Sequence, residues 1–392
     1  MDIFETRYFK INKLALSFIG QWCYQGGLTK RTARTLIFLS LTTPLIPQFF
    51  FLASVRNDLD AALECLPAIF IPILCFCQMC VFLSKEKKLL KLLHYIQSDW
   101  KFWSSGPEFE ILSQHAEKGR FFTLLYAVNV YTGMMTFIIM SLTPIVLDII
   151  IPLNETRPRQ QVYDAIYPFN HDKNFHWILI YGAVTVFYNL SILFSCEALL
   201  AVTTQHVCGI FSIICYRLQN TMELIESKQK IQGKIPKDEI YKEMSLAVEC
   251  HNNALEYASI LEAFYSPFLF VTIGINVIIL SVLGIQTLNT IGSPEKTIKF
   301  GAFTLSVLVH FYCITLPPQN LLDCSGAVSF QAYNVPWYHM SLKSKKLLLM
   351  IIMRSQEPCK LTAGKFYTMD METFSALLKT SVSFFTVLSS MR

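Results

Sequence analysis

The stretch SLKSKKLLLMIIMRSQEPCKLTAGKFYTMDMETFSALLKTSVSFFTVLSSMR, residues 341–392, holds two helical runs of different kind. The second, 370–391, is long enough to cross about 30 Å of hydrocarbon as a helix. It nevertheless carries Ser375, Lys379, Thr380, Ser381, Ser383, Thr386, Ser389 and Ser390, too many polar groups for a helix surrounded by lipid. One of its faces must meet water or protein. The first run, 342–353, sets Lys343, Lys345 and Lys346 beside an unbroken LLLMIIM. At about a dozen apolar-rich residues it is too short to span, and by charge alone it reads as a surface-lying amphipathic helix.

Lipid is the solvent for the rest of the chain as well. With a mean hydropathy of +0.41, 53% hydrophobic residues and 16% charged, 392 residues exceed what a water-soluble core hides. Six stronger segments of spanning length lie at 36–55, 62–83, 121–147, 176–203, 264–284 and 297–317. The expected fold is therefore all-α, a polytopic membrane protein with seven transmembrane helices. No internal repeat, low-complexity tract or linker divides the sequence, so 1–392 reads as one domain.

Charge sets the expected orientation. Lys and Arg number 6 in the amino-terminal tail, 7 in 84–120, 6 in 204–263 and 6 in 318–369, against 1, 3 and 2 in and at the edges of the intervening loops, the last pair being Lys296 and Lys299. By the positive-inside bias the four rich segments, and with them the amino terminus, are cytoplasmic, and seven spans leave the carboxy terminus outside. The sequon Asn154-Glu155-Thr156 lies in the 148–175 loop, which this topology places outside, making Asn154 the candidate glycosylation site. The amino terminus lacks the short apolar core and small-residue cleavage site of a removable signal peptide. The net charge of +5 reflects loops beside anionic lipid, not a nucleic-acid surface. The 12 cysteines show neither a disulfide framework nor metal-ligand spacing.

The soluble parts should be helical. From 217 to 261 the pattern is amphipathic, interrupted at 233–236, so spans four and five should extend past the membrane as a stalk. The 323–338 segment keeps helical spacing at Val328, Ala332 and Val335 and should continue span six. Pro317-Pro318 lies in its path, and a kink or break is expected there.

Two candidate sites follow. In the last helix Thr380, Ser383, Val387 and Met391 fall at spacings of three and four and share one stripe. Around an axis of several copies that stripe would line a passage narrowed at Val387 and Met391; alternatively the hydroxyls bond helix to helix within one bundle. Lys379 would snorkel to the cytoplasmic interface or line a pore vestibule. In the outer halves of the spans, Phe70 and Ile73 share a face with Leu66 and Ile69. Met134, Phe137 and Ile138 run with Ser141, Tyr181 and Tyr188 with Trp177 and Val184, and Phe303 with Phe300, Thr304 and Val307. Such stripes suit either plain helix packing or an apolar cavity for a small neutral organic molecule. His310 and Glu197 have no sequence-evident partner and read as satisfied buried side chains. No GxSxG, HExxH, Walker loop or dinucleotide turn occurs, so nothing supports an enzyme, a metal or a cofactor.

Across 317–391 the order of features resembles the carboxy-terminal signature of insect odorant receptors. It comprises Ala332-Tyr333, Trp337-Tyr338, the basic LLLMIIMRSQ run ending at Gln356, Pro358, Leu361-Thr362-Ala363-Gly364-Lys365-Phe366, Glu372-Thr373-Phe374, Lys379-Thr380-Ser381 and Ser383-Phe384-Phe385-Thr386. Two positions depart from the pattern: Phe384 stands where Tyr is common, and Pro317-Pro318 precedes Gln319-Asn320 where a non-proline residue is usual.

The resemblance implies an odorant-binding subunit of a ligand-gated, non-selective cation channel at the plasma membrane of a sensory neuron. Such subunits assemble as heterotetramers with the shared olfactory coreceptor Orco. It further implies that 370–391 lines the pore, with Ser383, Val387 and Met391 on its wall, and that 204–263 and 319–356 form a cytoplasmic intersubunit anchor. The odour pocket is expected among helices two, three, four and six. Gustatory-type channels share the architecture but favour a TYhhhhhQF-type ending, which is missing here. A G-protein-coupled receptor would have the opposite topology and an acidic-Arg-aromatic motif where this chain has Gly119-Arg120-Phe121.

Overall fold

Each long apolar run forms a helix, because inside a bilayer only helices and closed barrels satisfy the backbone internally. The computed structural model describes residues 2–151, 157, 159–232, 237–290 and 292–390. Helices α1 (Lys10–Phe18), α2 (Gly27–Thr42), α3 (Leu45–Ser54), α4 (Leu59–Ser84), α5 (Glu86–Phe102) and α6 (Pro107–Ile150) make up the first part. The second comprises α7 (His171–Gln232), α8 (Lys237–Asn289), α9 (Pro294–Asn334), α10 (Leu342–Ser355), β1 (Thr362–Ala363), β2 (Tyr367–Thr368) and α11 (Met371–Ser390).

Among the described residues six helical stretches are long and apolar enough to cross a membrane: Gly27–Ser54, Leu59–Ser84, Pro107–Ile150, Lys173–Ser227, Lys237–Asn289 and Lys296–Asn334. The more polar α11, with 20 residues, has the length of a further span. The first span is two helices, because Pro44 has no N–H with which to continue the α2 ladder. At 317–318 the helix does not break: α9 runs uninterrupted through both prolines. Its neighbouring turns are anchored by buried Phe311, Ile314, Thr315, Leu321 and Val328, so tertiary packing holds the helix where local propensity opposes it.

The stalk is larger than a span requires. Helix α7 has 62 residues, roughly 90 Å at 1.5 Å per residue, about three times the hydrocarbon thickness. The segment 84–120 holds α5 and the start of α6, whose polar groups lock onto the stalk. His115 bridges Gln205 (3.1 Å) and Ser212 (3.0 Å), His206 Nε2 meets Asp99 at 3.0 Å, and Tyr257 donates to the Thr203 carbonyl at 3.2 Å. Arg217, its side chain 14% exposed, pairs with Glu108 (2.8 Å) and Glu243 (2.7 Å) and lies 4.9 Å from the Trp103 ring centroid. The amino-terminal segment seals one side, burying Phe4, Phe9, Leu16, Ile19 and Trp22, with Phe9 edge-on to Trp100. Glu86 ties α5 to Lys30 and Arg34 of α2. Burial alone would raise its carboxyl pKa, but those two cations outweigh it and hold the pKa below the usual value.

LTAGKF forms a hairpin of two short strands and a three-residue loop, 364–366, joining α10 to α11. Thr362 pairs with Thr368 and Ala363 with Tyr367, while Gly364 (φ 61°) and Lys365 (φ 65°) occupy the left-handed turn. The hairpin docks on α8: Gly364 N–H donates to the Ser266 carbonyl at 2.9 Å, and Thr362 Oγ1 donates to Glu262 at 2.5 Å. A Cβ at Gly364 would lie 2.9 Å from the Phe270 ring.

Gly364→Ala should therefore destabilise the protein by roughly 2–4 kcal/mol through strain and overlap, whereas Lys365→Gly should be neutral or stabilising by up to about 1 kcal/mol. Thermal unfolding in detergent checks the pair; equal melting temperatures would remove the turn argument. Arg217→Ala, which strands two acidic side chains, should cost roughly 3 kcal/mol in the same assay, and Arg217→Lys less.

A candidate ligand cavity and the last helix

Helices α4, α6, α7, α8 and α9 diverge enough at one level to leave a cavity of about 430 Å³, within the range of small-molecule sites. Small side chains make the space: Ala68 on α4, Gly133 on α6 and Ala302 on α9 all lie on its wall. Helices α6 and α9 meet closely beside it, since a Cβ on Gly133 would sit 3.3 Å from Ser306 Oγ. Asn129 Nδ2 donates to the Ser306 carbonyl at 3.3 Å and fixes that approach. Phe137 and Phe303 stand edge to face, centroids 5.1 Å apart, toward the end nearer the α6–α7 connection.

That connection covers the cavity. Ser141 Oγ donates to the Gln161 carbonyl (3.3 Å), Ile166 N–H donates to the Pro47 carbonyl (3.0 Å), and Val162 packs over Gly182. Val162 and Tyr163 thereby join the lining. The far end, deeper between the helices, is polar: Tyr126 OH and His310 Nδ1 are 2.8 Å apart, and Asn189 and Asn276 face the same space.

Three of the eight pocket residues expected from the sequence line this cavity, namely Met134, Phe137 and Phe303. Phe70, Ile73 and Tyr188 instead pack on the hydrophobic core, Ile138 is half-buried outside the lining, and Tyr181 borders a different cavity. On α4 the lining face is Ala68, Ile71, Pro72 and Leu74, and on α7 it is Thr185, Val186, Asn189, Leu190 and Leu193. The Trp177, Tyr181, Val184 stripe points outward, with Trp177 73% exposed, because lipid accepts apolar side chains as readily as the interior does. The second cavity holds Thr43, Tyr167 and Tyr181, and its Ile46, Phe50 and Phe169 are surface residues, so it is a groove rather than an enclosed site. Sequence reasoning missed the Asn pair and the Val162-Tyr163 cover; the apolar QVYDAIYPF run within a polar loop was the available signal for the cover.

Helix α11 packs one face on α8 and α9. Ser281 Oγ donates to the Ser381 carbonyl (3.2 Å), Phe385 lies against Gly284, and Phe374 meets Phe311 with centroids 5.0 Å apart. The opposite face, with Thr380, Ser383 and Val387, points away from the bundle, so these hydroxyls do not bond helix to helix within it. Ser383 instead donates to the Lys379 carbonyl in its own helix at 3.0 Å. Met391 and Asn154 lie outside the described residues. His310 has found a partner in Tyr126, whereas Glu197, expected to be satisfied, is buried with both carboxyl oxygens unpartnered among the described residues.

Comparison with known proteins agrees with this architecture. Residues 58–382 match the family model described as 7tm Odorant receptor. Odorant receptor 9a of Drosophila melanogaster is 21% identical over 360 residues, covering 88% of this chain and 86% of that receptor. Odorant receptor 13a of the same fly is 26% identical over 253 residues, covering 58% and 57%. Among solved structures, the insect olfactory receptor OR5 from Machilis hrabei in complex with eugenol superposes with a TM-score of 0.81 at 13% identity, covering 98% of this chain and 97% of that one. With a matched model spanning most of its length, a seven-helix fold and a receptor's rather than an enzyme's relatives, this chain belongs to the 7tm odorant receptor family.

Proposed function

We propose that this receptor is the odorant-binding subunit of a ligand-gated, non-selective cation channel, opened by a small neutral volatile held in the 430 Å³ cavity. The cavity is the observation that carries the reading. Among the described residues its lining contains neither Lys, Arg, Asp nor Glu, so it suits an uncharged ligand that is mostly apolar. The amino terminus is cytoplasmic and the carboxy terminus extracellular, as the distribution of Lys and Arg favours.

Helix α11 lines the pore in an assembly with the coreceptor Orco, with Ser383, Val387 and Met391 on the wall. A hydroxyl-bearing face turned away from its own bundle is unexplained in a single chain surrounded by lipid and is accounted for by an aqueous axis among four subunits. Contacts between subunits form at the stalk end, from 204–263 and 319–356. Phe330, Tyr333, Trp337, Tyr338, Met350 and Met353 are exposed there, a patch of the size and chemistry that a partner covers. Ligand binding shifts the population toward an open state in which α11 moves from the axis. Helix α9 gives this a mechanical route, carrying Val307 and His310 on the cavity and Phe311 against Phe374 of α11.

Whole-cell recording during a panel of neutral volatiles, with and without the coreceptor, tests the reading. Rapid odour-evoked cation current only with the coreceptor is expected; silence despite proven surface expression of both chains would contradict it. Phe137→Ala and Phe303→Ala should each move the half-effective concentration by about tenfold or more, the loss of roughly 1.5–3 kcal/mol of apolar contact. Val387→Ala should change conductance or gating while leaving the rank order of ligands intact. A reversed pattern would contradict this division between cavity and pore.

A further inference from the structure

Asn189 on α7 and Asn276 on α8 are 4% and 2% exposed, and both line the cavity. Asn189 Oδ1 and Asn276 Nδ2 are buried with no hydrogen-bond partner among the described residues. They belong to the deep, polar end, where His310 uses Nδ1 on Tyr126 and leaves Nε2 unpartnered. A buried polar group without a partner costs about 1–3 kcal/mol, and native proteins rarely keep several in one place unless something else completes them. Rotation of each carboxamide about its last torsion presents either its oxygen or its nitrogen to the cavity.

Resting on the reading of the cavity as the ligand site, we propose that Asn189 and Asn276 make this receptor selective for volatiles bearing a hydroxyl group. The carboxamides supply both donors and acceptors. A hydroxyl also does both, accepting from one amide nitrogen while donating to the other amide's oxygen. An ester, ether or ketone oxygen only accepts and leaves a carboxamide oxygen unpaired. A hydrocarbon leaves every polar atom as it stands. A carboxylate would enter a site whose described lining offers no cation, so the acid anion is disfavoured as well. The apolar body of the ligand lies toward Met134, Phe137 and Phe303, with the hydroxyl pointing to the deep end.

The test uses hexanol, octanol and phenylethanol, each paired with its methyl ether and with the hydrocarbon lacking the oxygen, applied to cells expressing the full-length receptor with the coreceptor. In the wild type, at least one alcohol should act at a half-effective concentration about 10- to 100-fold below its ether and hydrocarbon partners. Asn189→Leu and Asn276→Leu, near-isosteric and apolar, should shrink that ratio toward one by weakening the alcohol while leaving the hydrocarbon unchanged or stronger. Surface labelling establishes that each variant reaches the membrane, and the wild-type ranking stands without them. Current with equal responses to alcohol and ether, or a ratio that survives both substitutions, would overturn the selectivity proposal and leave the receptor reading intact. If none of the nine compounds evokes current while other neutral volatiles do, hydroxyl selectivity is likewise overturned. If no volatile of any class does, the receptor reading falls with it.

Discussion

In hydrocarbon no water is available to a backbone N–H, and the structure follows from that constraint. Every segment that crosses must satisfy its own backbone, so each long apolar run is a helix. Which side of a helix faces inward is then settled by packing, because lipid and protein interior are almost equally apolar. The cavity is the place where packing is incomplete at one level of the bundle, with the small residues Ala68 and Ala302 on its wall.

The same constraint explains what was legible in the sequence. Length and hydropathy located the spans, and the amphipathic 217–261 pattern foretold that α7 and α8 continue as a stalk. Faces were harder to read. Trp177 and Val184 have the spacing of a buried stripe yet point outward, and the cavity faces of α4 and α7 include Pro72, Thr185 and Asn189, residues that a search for aromatic stripes passes over. Met134, Phe137 and Phe303 were reachable because their helices happen to turn the aromatic face inward. At Pro317-Pro318 local propensity argued for a break, and buried neighbours on both sides overruled it.

Polar residues divide into two populations. In the stalk they are paired across helices, as with Arg217 between Glu108 and Glu243 and His115 between Gln205 and Ser212, and they fix the register of α5, α6, α7 and α8. Pairing of this kind joins residues from 26 to 109 positions apart, which periodicity does not reveal. Around the cavity, Asn189 Oδ1, Asn276 Nδ2, His310 Nε2, Gln48 Oε1 and Tyr163 OH have no partner among the described residues. The stalk is cross-bridged by ion pairs and hydrogen bonds where subunits would be held, although Trp100 Nε1, His206 Nδ1 and Arg217 Nε stay unpartnered there among the described residues, and the cavity keeps unpartnered polar atoms where a ligand would enter.

Through α8 and α9 the cavity among α4, α6, α7, α8 and α9 is joined to an outward-facing stripe on α11, which in the proposed channel lines the conducting path. The most direct measurement is thiol accessibility of Val387→Cys in receptors co-expressed with the coreceptor, using a charged, water-soluble methanethiosulfonate during odour-evoked current. The account predicts rapid, irreversible block that requires the activating volatile and does not occur in the wild type with its native cysteines. Modification of Val387→Cys that leaves current unchanged, or no reaction in the open state, would contradict it.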